Sequence, residues 1–159
     1  MDIRLLLPMV VFSLWPALPD AAGEPARGGF VEQRQAGDLV YYTGSATLGG
    51  MVEKRTDEQT IELIGNRICF YPRGESEKAI PRGETDLRLA WFCFSNYEEA
   101  MRMLRFHGPS PDGGCGLTAN ATATITDYVV DLRESSVFDQ ARLLNVVASD
   151  SPRNIPCPP

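Results

Sequence analysis

Leu39 to Arg55 reads Leu-Val-Tyr-Tyr-Thr-Gly-Ser-Ala-Thr-Leu-Gly-Gly-Met-Val-Glu-Lys-Arg, and the fold class follows from its pattern. Ala46, Leu48, Gly50 and Val52 alternate with Ser45, Thr47 and Glu53, the period of two that turns one face of a strand toward a core. Gly44, Gly49 and Gly50 weaken a flat strand and suit a long one that bends sharply. A matching run spans Leu117 to Leu132, where Ala119, Ala121, Ala123 and Ile125 face one way and Thr122, Thr124 and Thr126 the other. Small inward side chains let another element approach closely.

Working outward, Thr60 to Tyr71 is expected to be a second strand. Its apolar positions change face at Gly65-Asn66, from Ile61 and Leu63 to Ile68 and Phe70, as at a bulge or tight hairpin. Pro72 to Asp86 repeats itself as Pro72-Arg73-Gly74-Glu75 and Pro81-Arg82-Gly83-Glu84. Its charges alternate, and it reads as a solvated loop. Leu87 to Phe94 is a third strand. A helix follows, with Ser95 as N-cap, Glu98 completing a capping box, and Tyr97, Ala100, Met101 and Leu104 on one face. Gly108-Pro109 ends it. Arg142 to Ala148 closes the body as a strand, or as a short helix starting at Asp139.

The order strand, strand, strand, helix, strand, strand, over Leu39 to Ser149, resembles the OB-fold, a five-stranded Greek-key barrel. The alternative is an open antiparallel sheet with one packed helix. Either way the chain is mainly β, with a single domain over residues 39–149. Residues 24–38 are rich in Gly, Ala and charge and read as a flexible leader, and residues 150–159 as a Pro-rich tail.

The 159 residues carry 15 Lys+Arg against 21 Asp+Glu, a net charge of −6. That acidity argues against a nucleic-acid partner, whose phosphates require a basic surface. Residues 1–23 are organised as a signal peptide: Arg4, an apolar run from Leu5 to Leu18, then Ala21-Ala22-Gly23 as a cleavage site. The run is about 14 residues, too short to span a bilayer core of about 30 Å as a helix. Periplasmic or secreted location is expected, with no membrane span after cleavage.

Four cysteines, Cys69, Cys93, Cys115 and Cys157, all follow that segment. An even count beyond an export signal reads as two disulfides, and four cysteines allow three pairings. Cys69 and Cys93 each sit in a short aromatic run, Ile68-Cys69-Phe70-Tyr71 and Trp91-Phe92-Cys93-Phe94, which favours pairing them across neighbouring strands. Cys115–Cys157 would then tie the tail to the body. No C-x-x-C pair supports a zinc site.

Chemistry-bearing patterns are few. His107 is the only histidine; it suits a helix end better than catalysis with Ser95 or Ser110. Asp127, Asp131, Glu134 and Asp139 lack a calcium loop, and Asp127 and Asp131 are expected on the solvent face of their strand. No phosphate loop, dinucleotide fingerprint or cofactor motif is present, so no catalytic residue, metal or cofactor is assigned. The aromatics Tyr42, Tyr71, Trp91, Tyr97 and Tyr128 are the candidate binding residues, because rings on one sheet face stack on ligands. The expected function is a non-enzymatic exported module that binds a protein or peptide, as inhibitors and immunity-type proteins do. Oligosaccharide or cell-wall binding through the aromatics is the alternative, and a hydrolase using His107 the second alternative.

Overall fold

The bent strand is the centre of the molecule. In the computed structural model, which describes residues 29–83, 86–107, 114–133 and 138–157, Leu39–Arg55 is one continuous strand, β2. It pairs antiparallel along nearly its whole length with β5, Gly114–Asp131. The register slips between Tyr42 and Ser45, where Gly44 has φ 103°. A Cβ at Gly44 would lie 2.1 Å from the Gly29 carbonyl oxygen, so only glycine allows the first strand to close on this corner. Ala46, Leu48 and Val52 from β2, with Ala119, Ala121, Ala123 and Ile125 from β5, are buried as the alternation requires.

The remaining strands are β1 (Phe30–Ala36), β3 (Cys69–Pro72), β4 (Phe92–Phe94), β6 (Asp139–Ser149) and β7 (Arg153–Pro156). Together with β2 and β5 they form one seven-stranded sheet, in the order β1-β2-β3-β4-β6-β5-β7, with β2 also bonded to β5. All pairings are antiparallel except β4 with β6, which is parallel. The chain is mainly β. Phe30, Phe70, Phe92, Phe94 and Tyr128 fill the core, packed ring against ring, and Phe106 is buried in the same core.

Several expectations are corrected. Residues 30–36 of the expected leader form β1, because Phe30 is fully buried and anchors an otherwise exposed strand through the Gly37 turn. One buried residue leaves no period to read. In place of a strand beginning at Thr60 there is a helix, α1, Glu58–Ile64. Asp57 caps it by accepting the Thr60 N–H at 3.0 Å and the Thr60 hydroxyl at 2.7 Å. The face change read at Gly65 is the end of that helix. The Pro72–Asp86 loop contains a short helix, α2, Glu75–Lys78, and is only partly solvated, since Ile80 and Pro81 are buried. The strand expected over Leu87–Phe94 shrinks to β4. The third helix, α3, is Tyr97–Met103, and its N-cap is Asn96 rather than Ser95. Its end comes before Gly108-Pro109, which lies outside the described residues with the signal segment 1–23. Part of the Pro-rich tail is β7, paired to β5.

Both favoured disulfides are formed: Cys69–Cys93, between residues directly opposed on β3 and β4, and Cys115–Cys157, which ties β7 to the start of β5. No helix among the described residues is long and apolar enough to cross a membrane.

Candidate functional site

The candidate site is built on a buried carboxylate. Asp139, at the first position of β6, has no exposed surface. A bare charge there would be costly, so its oxygens must be satisfied. The Tyr128 hydroxyl donates to Oδ2 at 2.9 Å, and Arg82 and Arg88 approach at 3.3 Å each. Asp86 completes the group, accepting from Arg88 at 2.8 Å and 3.0 Å and lying 3.8 Å from Arg82. Two guanidinium groups thus face two carboxylates. Burial pushes the Asp139 carboxyl up, against the pull of Arg82, Tyr128 and Arg88. Hydrogen bonds from Arg88 hold Asp86 down at about 2. Burial beside Asp139 drives the Tyr128 hydroxyl well above its usual range.

This network determines how the chain enters β4. Arg88 turns inward to the carboxylates and also donates to the Asp131 carbonyl at 2.8 Å. Its neighbours are therefore turned outward: Leu87 is 95% exposed and Leu89 83%. The sequence pattern there alternates as a strand should, but with the arginine inside and the leucines outside.

Two residues beyond Leu89, Trp91 begins an aromatic row. Its indole stacks on Tyr71 with centroids 5.3 Å apart and planes 6° from parallel, and Phe138 lies 5.8 Å away on a tilted plane. The Arg67 guanidinium sits 5.2 Å over the Phe138 ring. Beneath the row lie Ile64 and the Cys69–Cys93 disulfide. The Asp139 N–H reaches the Trp91 carbonyl at 3.5 Å, linking the row to the ionic network. Burial, with Glu53 nearby, pushes the Tyr71 hydroxyl up to about 12. At most about 14 Å of chain separates Leu87 from Trp91.

Of the five aromatics singled out from sequence, the structure brings together Tyr71 and Trp91. Tyr128 is fully buried and serves Asp139, which removes it as a ligand-stacking residue. Tyr42 is half-buried on β2 opposite Tyr128. Tyr97 lies on α3, with Lys54 5.9 Å from its ring and Asn66 accepting from its hydroxyl. Phe138, Arg67, Leu87 and Leu89 were missed. Asp131 is also buried rather than on the solvent face, and pairs with Arg133, whereas Asp127 is exposed at a bulge with φ 50°. Asp139 begins a strand rather than a short helix and is buried in the core. Of the paired Arg-Gly-Glu segments, Arg82 is mostly buried in the network while Arg73 is exposed. His107 is exposed beyond the end of α3, and Ser110 lies outside the described residues.

The chain matches no protein-family model, and no curated protein or solved structure is significantly similar to it.

Proposed function

We propose that this chain is an exported, disulfide-stabilised binding module without catalytic activity, and that it engages a protein or peptide through the face formed by Leu87, Leu89, Trp91 and Tyr71. The observation that carries the reading is the pair of leucines held out on either side of an anchored arginine. Exposed leucines cost solubility, and adjacent ones braced by a buried network mark a contact surface. Arg88 ties the segment to Asp86 and the Asp131 carbonyl, and such pre-organisation lowers the entropy lost on association. Neighbouring Trp91 and Tyr71 supply the large rings that dominate contact energy at interfaces.

The sheet also supports an OB-type Greek-key barrel as the scaffold. The pairings run β2–β3–β4–β6–β5 and return to β2, and α3 lies between β4 and β5. In such barrels the second and third strands and their flanking loops bind ligands. Tyr71 on β3, with Arg67, Trp91 and Phe138 just before β3, β4 and β6, fits that reading. Two disulfides support an oxidising location, periplasmic or extracellular.

A second reading has a specific observation in its favour. The Tyr71–Trp91–Phe138 row, with Arg67 beside it, has the ring surface and donors that oligosaccharides stack against. Immobilised oxidised protein, exposed to cell extract and in parallel to a glycan array, separates the two. Capture of a protein that is lost with Leu87→Asp and Leu89→Asp, while the variant stays folded, supports the first. Retention of glycans with no protein bound overturns it.

A further inference from the structure

A trough of about 380 Å³ crosses the outer face of the sheet, and none of Leu87, Leu89, Trp91 and Tyr71 lines it. Gly49 on β2 stands opposite Thr122 on β5, and Thr122 opposite Ala148 on β6, so these three lie in a row across its floor. Arg73 stands at one end, where its N–H donates to the Gly49 carbonyl at 3.0 Å. Asp150 stands at the other. Its N–H donates to the Asn120 carbonyl at 2.9 Å, and its carboxylate accepts from the Asn120 side-chain amide at 2.8 Å.

Two features of this trough are not required by the fold. The first is Gly49. A glycine inside a strand marks a bend, or a place where another backbone or a ligand comes close. Gly44 is the bend, and Gly50 is approached by β3, since a Cβ there would lie 2.3 Å from the Tyr71 carbonyl oxygen. Gly49 is neither. Its φ is not positive, and the nearest atom to a Cβ would be the Ser76 Oγ at 3.9 Å, an ordinary contact. A β-branched residue would serve the strand better; the bare backbone keeps the trough open.

The second feature is a pair of opposite charges that do not meet. Arg55, Arg82, Arg88, Arg133 and Arg142 all pair with carboxylates. Arg73 instead rests its guanidinium on the Met51 Sδ at 3.4 Å, and among the described residues neither Arg73 nor Asp150 has an ionic partner. Met51 and Asn120 are opposed across β2 and β5. The two charges therefore stand one to two strand spacings apart, about 5–10 Å.

We propose that the trough binds a short peptide of two or three residues by its two ends, the carboxylate on Arg73 and the ammonium on Asp150. Two or three extended residues span about 7–10 Å, which matches the gap. A guanidinium takes a carboxylate through two parallel hydrogen bonds. The Thr122 hydroxyl and the Asn120 amide offer hydrogen bonds to the peptide groups between, and Gly49 leaves room for small side chains. An acidic sugar would satisfy Arg73 but bring no cation to Asp150, so the zwitterion is the better fit.

Amide chemical-shift titration of the oxidised protein with trialanine tests the proposal. The expected result is a saturable shift at Gly49, Thr122 and Asp150, with a dissociation constant of about 0.1–3 mM, as suits so small a ligand. N-acetylating or C-amidating the peptide should weaken binding about tenfold or more, and so should Arg73→Gln or Asp150→Asn. Gly49→Val should abolish binding while Tm stays level or rises, because that side chain fills the trough without touching the core. Combined Leu87→Asp and Leu89→Asp should bind trialanine unchanged, which keeps this test separate from that of the leucine face. No saturable shift up to about 20 mM overturns the proposal. So does equal binding of the blocked peptides, unaltered binding by the Gly49→Val protein, or tighter binding of galacturonate than of trialanine.

Discussion

Replacing Asp139 by Asn tests the network on which the proposed face rests. The change keeps the shape and leaves an amide oxygen for the Tyr128 hydroxyl, so what is removed is charge. With Asp139 ionised, the two guanidinium groups of Arg82 and Arg88 face two carboxylates; with Asn they face one. Breaking a buried pair by removing a partner costs about 3–5 kcal/mol. Asp86 still holds both arginines, more closely in the case of Arg88, so the expected loss is about 2–3 kcal/mol. For a body of this size that corresponds to a fall in Tm of roughly 10 °C. Thermal and urea unfolding with both disulfides intact measure it. A cycle with Arg88→Met should be non-additive, because the second substitution removes a charge that the first has left excess. A Tm within about 2 °C of the unsubstituted protein would show that Asp139 does not balance these arginines, and the account of how Leu87 and Leu89 are turned outward would fall with it.

Acid should destabilise the fold in a defined window. Asp57 and Asp86 are held at about 2 against an ordinary 3.8, Asp57 by the Thr60 hydroxyl first and Asp86 by Arg88 first. Both are depressed, so their contribution is fully present above about pH 4 and lost as pH falls through 2; urea midpoints that do not move between pH 4 and 2 would refute this. The Cys115–Cys157 bridge closes 42 residues of chain, and its removal by paired Cys→Ser substitution should cost about 4 kcal/mol in the chain-entropy model. Because Cys157 is exposed while Cys69 and Cys93 are buried, limited dithiothreitol should open Cys115–Cys157 first; mass spectrometry after alkylation reads the order, and the reverse order contradicts the structure. Gly44→Ala should lower stability by about 1–3 kcal/mol through its positive φ and the clash with Gly29, with amide protection of β1 lost first; unchanged protection there would argue against the corner.

Where one face of a strand is buried over many residues, the pattern was legible. The alternations of Leu39–Arg55 and Leu117–Leu132 became β2 and β5, and the aromatic surroundings of Cys69 and Cys93 pointed to neighbouring strands. Short elements were not legible for a physical reason. In α1 only Ile64 is buried, so Ile61 and Leu63 mimic an alternating strand; Asp57 three residues before Thr60 was the available cue. Phe30 alone fixes β1, and a single residue has no period. The site was less legible still. Tyr71 and Trp91 were found because they are aromatic, but Asp139 was read as one of a loose group of carboxylates or the start of a short helix, since pattern reading does not place charge in a core. Its partners Arg82 and Arg88 lie more than fifty residues away in sequence, and only the fold brings them together. Leu87 and Leu89 were read only as part of a strand over Leu87–Phe94, and their outward position follows from the inward turn of Arg88, which no local pattern announces.

Amide hydrogen exchange of the oxidised protein, with and without its captured partner, tests the binding face most directly. The account predicts slowed exchange over residues 86–91, with Tyr71 and Phe138, and little change along β1. Slowing confined to β1, β7 or the helices, with residues 86–91 exchanging as in the free protein, would contradict it.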